Sequence, residues 1–246
     1  MTAGAGAPAL AKRALRPLRS RAGEHPLLVP LVLRLITPAT EDLRITATTE
    51  LVIEGFPRSG NSFATTAFGL AAGPGVRRSS NTHLAGQVRI AVSMRLPTLV
   101  LIRRCADAAA SLCVAAPYLR PIDAIREWLR FYRAVQPLQP GFVLATFDDV
   151  TTDFGAVVAR VNERFGTTFP LFEHTDDNVA LVQRGLEDYG VRKRGYVREE
   201  SIARPSDARS DANRAAREAM ATGAGARLLA QADALYDDMV SRAHRQ

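Results

Sequence analysis

Four groups of residues have the types and spacing to handle phosphate chemistry. The first is Gly55-Phe56-Pro57-Arg58-Ser59-Gly60, which follows the apolar run Leu51-Val52-Ile53 and precedes a helix-start pattern. Two glycines at that separation, between a strand and a helix, give the G-x-x-x-x-G spacing of a loop whose N–H groups face an anion. A nucleotide-triphosphate enzyme carries Lys next, but here that residue is Asn61 and the charge is Arg58, inside the loop. The second group is Arg103, ending the run Thr98–Ile102, with Ser111 eight residues on. Such an Arg points from a strand end into the crevice, and the Ser, about two helical turns later, offers a hydroxyl donor. The third is Thr82-His83-Leu84, where the imidazole is the side chain suited to taking a proton near neutral pH. The fourth is the basic run Arg192-Lys193-Arg194-Gly195, read as a loop.

Each group has a plainer alternative. The glycines suit an ordinary turn, Asp107 suits the first turn of a helix, Ser111 alone suits a back-bonded helical serine, and a loop histidine or basic run is commonly just solvated. The order and spacing of the groups together favour a site. Magnesium-dependent phosphoryl transfer needs an acid at the end of a neighbouring strand. Here that strand ends Ile102-Arg103-Arg104. Two basic clusters without an acid suit a ligand with two separate phosphates, with no metal expected.

The elements that position these residues follow from hydrophobic patterning. Strands are predicted over 50–54, 98–102 and 142–147. Helices are predicted over 61–71, 88–94, 105–116, 122–135, 153–165 and 177–186, with a long Ala-rich helical region over 211–240. Ile125, Trp128, Leu129 and Tyr132 fall on one face of their helix. Residues 77–86 read as polar and irregular. Strands alternating with helices predict an α/β fold with a parallel sheet, right-handed crossovers and ligands at the strands' C-terminal ends.

The same residues resemble the PAPS-dependent sulfotransferases, whose donor is 3′-phosphoadenosine 5′-phosphosulfate. GFPRSGNSF is similar to that family's 5′-phosphosulfate loop, P-[KR]-S-G-[TN]-[TS]-[WF], and Arg103, Asp107 and Ser111 match its R-x-x-x-D-x-x-x-S hallmark. The resemblance covers residues 51–166 well and the remainder weakly. It implies a three-layer α/β/α fold, P-loop NTPase-like, with PAPS as donor co-substrate. It implies donor contacts from Arg58, Ser59, Gly60, Asn61, Ser62, Phe63, Arg103, Ser111 and Phe147, more loosely from Arg192 and Lys193, and catalytic roles for Arg58 and His83. The chain departs from the family at Asn81, often Lys there, and at Ala85, a Pro there. Some members use a carboxylate base, for which Glu54 at the strand end is the nearest candidate.

The chain of 246 residues, with 47% hydrophobic and 23% charged residues, is long enough for one sizeable core. A net charge of +7 points to an anionic partner. A non-catalytic nucleic-acid binder is disfavoured because the few aromatics do not interleave with the basic clusters; a P-loop kinase or NTPase is the other alternative. Cys105 and Cys113 would lie ~12 Å apart along one helix, beyond disulfide reach, so a cytoplasmic protein is expected. Residues 1–45 read as a basic arm, poorly ordered or helical, and 46–246 as the sulfotransferase domain. The arm is also the candidate for peripheral contact with the inner face of a membrane. The expected acceptor is a small molecule, a carbohydrate or a lipid-linked hydroxyl or amine; no nucleic-acid partner is expected.

Overall fold

In the computed structural model, the described residues are 7–36, 43–194 and 207–245, with side chains described over 14–35, 43–188 and 210–245. The strands are β1 (Leu51–Gly55), β2 (Arg78–Ser80), β3 (Thr98–Ile102) and β4 (Val143–Thr146). The helices are α1 (Ala7–Ala22), α2 (Val29–Ile36), α3 (Asn61–Ala72), α4 (Ala85–Ser93), α5 (Cys105–Ala115) and α6 (Pro121–Val135), then α7 (Phe147–Thr152), α8 (Phe154–Phe165), α9 (Asp176–Arg194), α10 (Asp207–Met220) and α11 (Gly223–Ala243).

The fold is α/β with one all-parallel sheet in the order β2-β1-β3-β4. Successive side chains on a strand face opposite ways, and β3 divides accordingly. Val100 and Ile102 pack with α5, α6 and α11 on one face, while Leu99 and Leu101 pack with α3 and α8 on the other. Both faces are covered, as a three-layer arrangement requires. The chain leaves β1 toward β2 and returns to the opposite side as β3. The ends of β1 and β3 therefore flank the point where the strand order reverses, the usual crevice of an open α/β sheet.

Two expectations need correction. β2 lies within the stretch read as irregular, because three residues with two serines carry no apolar pattern. Arg192, Lys193 and Arg194 end helix α9 instead of forming a loop; Gly195 and the side chains of Arg192 and Lys193 lie outside the described residues. The N-terminal arm, expected to be poorly ordered or helical, is a helix over Ala7–Ala22, and its Arg16 pairs with Glu127 of α6 at 2.7 Å. Val29, Val32 and Leu33 bury against Leu84. The other face of this hairpin stays exposed, with Leu27, Leu31 and Leu35 turned to solvent.

Candidate active site

β1 leaves the sheet at Gly55, where a Cβ would stand 2.5 Å from the carbonyl oxygen of Leu101, so glycine alone permits this approach of β1 to β3. The turn closes on the carbonyl of Phe56, which accepts the Ser59 N–H at 3.2 Å and the Asn61 side-chain amide at 2.9 Å. Asn61, in the lysine's place, is thus a loop-closing residue. Arg58 sits at φ 71° and Gly60 at φ 97°, the left-handed region. The first helical bond of α3 joins the Ala64 N–H to the Gly60 carbonyl at 3.0 Å. The N–H groups of residues 61–63 thus stand outside the helical ladder, at the positive end of the α3 dipole.

The two motifs meet. The Arg58 side chain donates from Nε to Ser111 Oγ at 2.9 Å, and Arg103 donates to the Arg58 carbonyl at 3.3 Å. The Arg103 guanidinium lies 3.9 Å from the centre of the Phe147 ring. Burial lowers its pKa, opposed by Asp107 and Asp148. Arg104 does not join it: it turns to Asp233 and Asp237 of α11 and stacks on Tyr236. The pair of cations read at the end of β3 therefore supplies one charge to the site. Helix α6 braces both turns from beneath. Tyr132 donates to the Leu101 carbonyl at 2.7 Å and accepts from the Phe56 N–H at 3.3 Å, while Trp128 donates to the Arg103 carbonyl at 3.0 Å.

These elements surround a cleft of about 470 Å³. The loop contributes Arg58 and residues Gly60 through Phe63, and His83, Arg103 and Phe147 contribute from the other elements. Two expected contacts lie elsewhere. Ser59 is wholly buried with its hydroxyl 3.2 Å from that of Tyr132, and Ser111 is buried behind Arg58. Phe63 stacks on His174 with ring centres 5.8 Å apart. Four lining residues escaped sequence reasoning: Thr151 of α7 and Ser210, Asn213 and Arg217 of α10. Arg217 pairs with Asp107 at 3.0 Å, giving that acid a tertiary partner besides the helix dipole. The buried Oδ1 of Asn213 has no hydrogen-bond partner. No recurrent spacing marks α10 in the sequence; its position follows from packing on α5. Among the described residues, the lining holds three arginines and one histidine and no carboxylate.

His83 is held from two directions. Its Nδ1 lies 2.8 Å from the Gly55 carbonyl, so that nitrogen carries the proton and Nε2 is the basic one. Its backbone, at φ 57°, is fixed by Glu54, which is fully buried. Glu54 Oε2 accepts the His83 N–H at 2.9 Å, and Oε1 accepts the Thr82 N–H at 2.9 Å and the Thr82 hydroxyl at 2.6 Å. Burial lifts the Glu54 carboxyl to about 7, with the bonds from Thr82 and His83 pulling the other way. Glu54 does not line the cleft; its geometry is that of a positioning residue for His83.

No family model, no curated protein and no solved structure matches this chain.

Proposed function

We propose that the protein is a PAPS-dependent sulfotransferase and that the turn between β1 and α3 is its phosphate loop. The observation that carries this is a cleft at the sheet's switch point with cations from two separate turns, Arg58 and Arg103, and no acid in its described lining. A ligand with two separated phosphates matches that charge pattern, and Phe63 and Phe147 offer aromatic faces for a purine. When bound, the donor would supply an activated sulfuryl group. Arg58 and the N–H groups at the start of α3 would hold its 5′-phosphate and stabilise charge on the leaving oxygen. Arg103, with Arg217 beside it, would hold the 3′-phosphate. His83 would accept the acceptor's proton at Nε2 while Nδ1–H stays on the Gly55 carbonyl.

Calorimetric titration with 3′,5′-adenosine bisphosphate and with ATP–Mg²⁺ tests this assignment. Preference for the bisphosphate is the expected result; tighter binding of ATP–Mg²⁺ would overturn it in favour of a nucleotide kinase. We also propose peripheral contact with an anionic membrane through α1 and α2. The exposed Leu27, Leu31 and Leu35 beside Arg21 and Arg34 support it.

A further inference from the structure

A second, smaller cavity of about 40 Å³ lies between α1 and the turn after β1. His83 and Pro57 line both this cavity and the cleft, so the two spaces meet at the imidazole. Its walls carry charge that is mostly matched. Arg16 pairs with Glu127 at 2.7 Å, and Glu24 lies 3.6 Å from Arg130. Arg19 differs. It is partly buried in the same wall, yet among the described residues no carboxylate reaches it within salt-bridge distance and no side-chain hydrogen bond engages it. Burial pulls its pKa below the ordinary value, Arg16 adds repulsion, and Glu127 only partly opposes them. A cation withdrawn from water without a counter-ion is costly unless a ligand provides one. Glu127 Oε1, also in this wall, is buried with no hydrogen-bond partner. It is an acceptor position for a hydroxyl or ammonium group of the same ligand.

We propose that this cavity receives the acceptor and that the acceptor carries an anionic group, a phosphate, sulfate or carboxylate, whose counter-ion is Arg19. The word acceptor rests on the sulfotransferase reading; the anion site itself rests on the cavity and its charges. The ligand's polar end would lie beside His83, and its charge would select it against neutral analogues of the same size. The anionic group has two sources, a soluble metabolite or a lipid headgroup.

The test titrates the full chain, saturated with 3′,5′-adenosine bisphosphate, with glycerol 3-phosphate and with glycerol, which share a hydroxyl and differ in charge. Wild type should prefer the phosphate, and Arg19→Met should lose about tenfold in affinity for it, the scale of one charge-assisted hydrogen bond. Arg19→Lys should recover part of the loss. Bisphosphate affinity should be the same in all three proteins. Equal phosphate affinity in wild type and Arg19→Met, or no preference over glycerol, overturns the proposal. The same comparison is made without bisphosphate. If the bisphosphate does not bind but phosphate still binds through Arg19, the donor assignment falls and the anion site stands. Co-sedimentation with phosphatidylglycerol against phosphatidylcholine vesicles separates the sources. Arg19-dependent sedimentation with phosphatidylglycerol marks a headgroup, and dependence confined to glycerol 3-phosphate marks a soluble ligand. Independence from Arg19 in both arms is a further overturning result.

Discussion

Arg58, Arg103 and His83 divide the proposed labour of the cleft, and their substitutions should separate accordingly. Arg58→Ala and Arg103→Ala should each weaken 3′,5′-adenosine bisphosphate binding by roughly tenfold or more, as expected for removing a charge-assisted contact. Calorimetry reads this directly; unchanged affinity in both variants would remove the two-phosphate assignment. His83→Ala should leave that affinity intact while lowering turnover by about a hundredfold or more, the usual contribution of general base catalysis. A His83→Ala enzyme with full turnover would place the base elsewhere. The sequence made these three residues legible because their spacing is local: each lies at a strand end or in a loop with a readable neighbour. It did not reveal that Ser59 and Ser111 spend their hydroxyls beneath the loop, on Tyr132 and Arg58. A hydroxyl's partner depends on packing that no spacing encodes.

Helix α6 and strand β1 carry the next level. The apolar face of α6 was legible as a 3.6-residue pattern, and Ile125, Trp128, Leu129 and Tyr132 are all buried. That the polar tips of Trp128 and Tyr132 hold two turns from beneath was not, since those partners are 25 to 76 residues away in the chain. Tyr132→Phe should cost about 1–3 kcal/mol through the unpaired Leu101 carbonyl and Phe56 N–H, read as a lower Tm with reduced bisphosphate affinity. An unchanged Tm would show that the phenol is dispensable. Glu54 makes the stability pH-dependent. Its carboxyl is raised from 4.5 to about 7 in the folded state, so the folded protein holds that proton more tightly than the unfolded chain. The resulting stability is complete below pH 4.5 and is lost as pH rises to about 7, roughly 3 kcal/mol in all. Across that window, thermal melts should show the Tm of wild type falling relative to Glu54→Gln. Parallel curves would contradict it.

At the scale of the whole molecule, the parallel sheet with its crossovers followed from alternating strand and helix patterns, and β1, β3 and β4 lie within a residue or two of their expected limits. What escaped was the placement of the ends of the chain. Helix α10 brings Ser210, Asn213 and Arg217 to the cleft, and α1 brings Arg16 and Arg19 to the cavity beside His83. Both helices are Ala- and Arg-rich, a composition that suits a solvated helix as well as a packed one. The basic arm thus becomes part of the site's wall. No helix among the described residues is long and apolar enough to cross a membrane. Surface contact through the exposed leucines should instead show as sedimentation with phosphatidylglycerol vesicles that weakens with added salt. The triple change Leu27→Ser, Leu31→Ser and Leu35→Ser should reduce it without lowering the Tm; equal sedimentation of the two proteins would exclude that face.

Among the described residues, four that are not glycine adopt positive φ: Arg58, Asn81, His83 and Arg95. Three of them cluster where β1 and β2 end, and two of these, Arg58 and His83, line the cleft. Left-handed backbone costs an L-residue of order 1–2 kcal/mol, so selection for thermal stability alone would press on these positions first, favouring glycine. A thermostable descendant obtained that way would keep the sheet while losing the Arg58 guanidinium and the His83 imidazole from the crevice. Breeding this protein for robustness therefore calls for a simultaneous screen for ligand capture, with Asn81 and Arg95, which line neither cavity, as the strained positions open to relief.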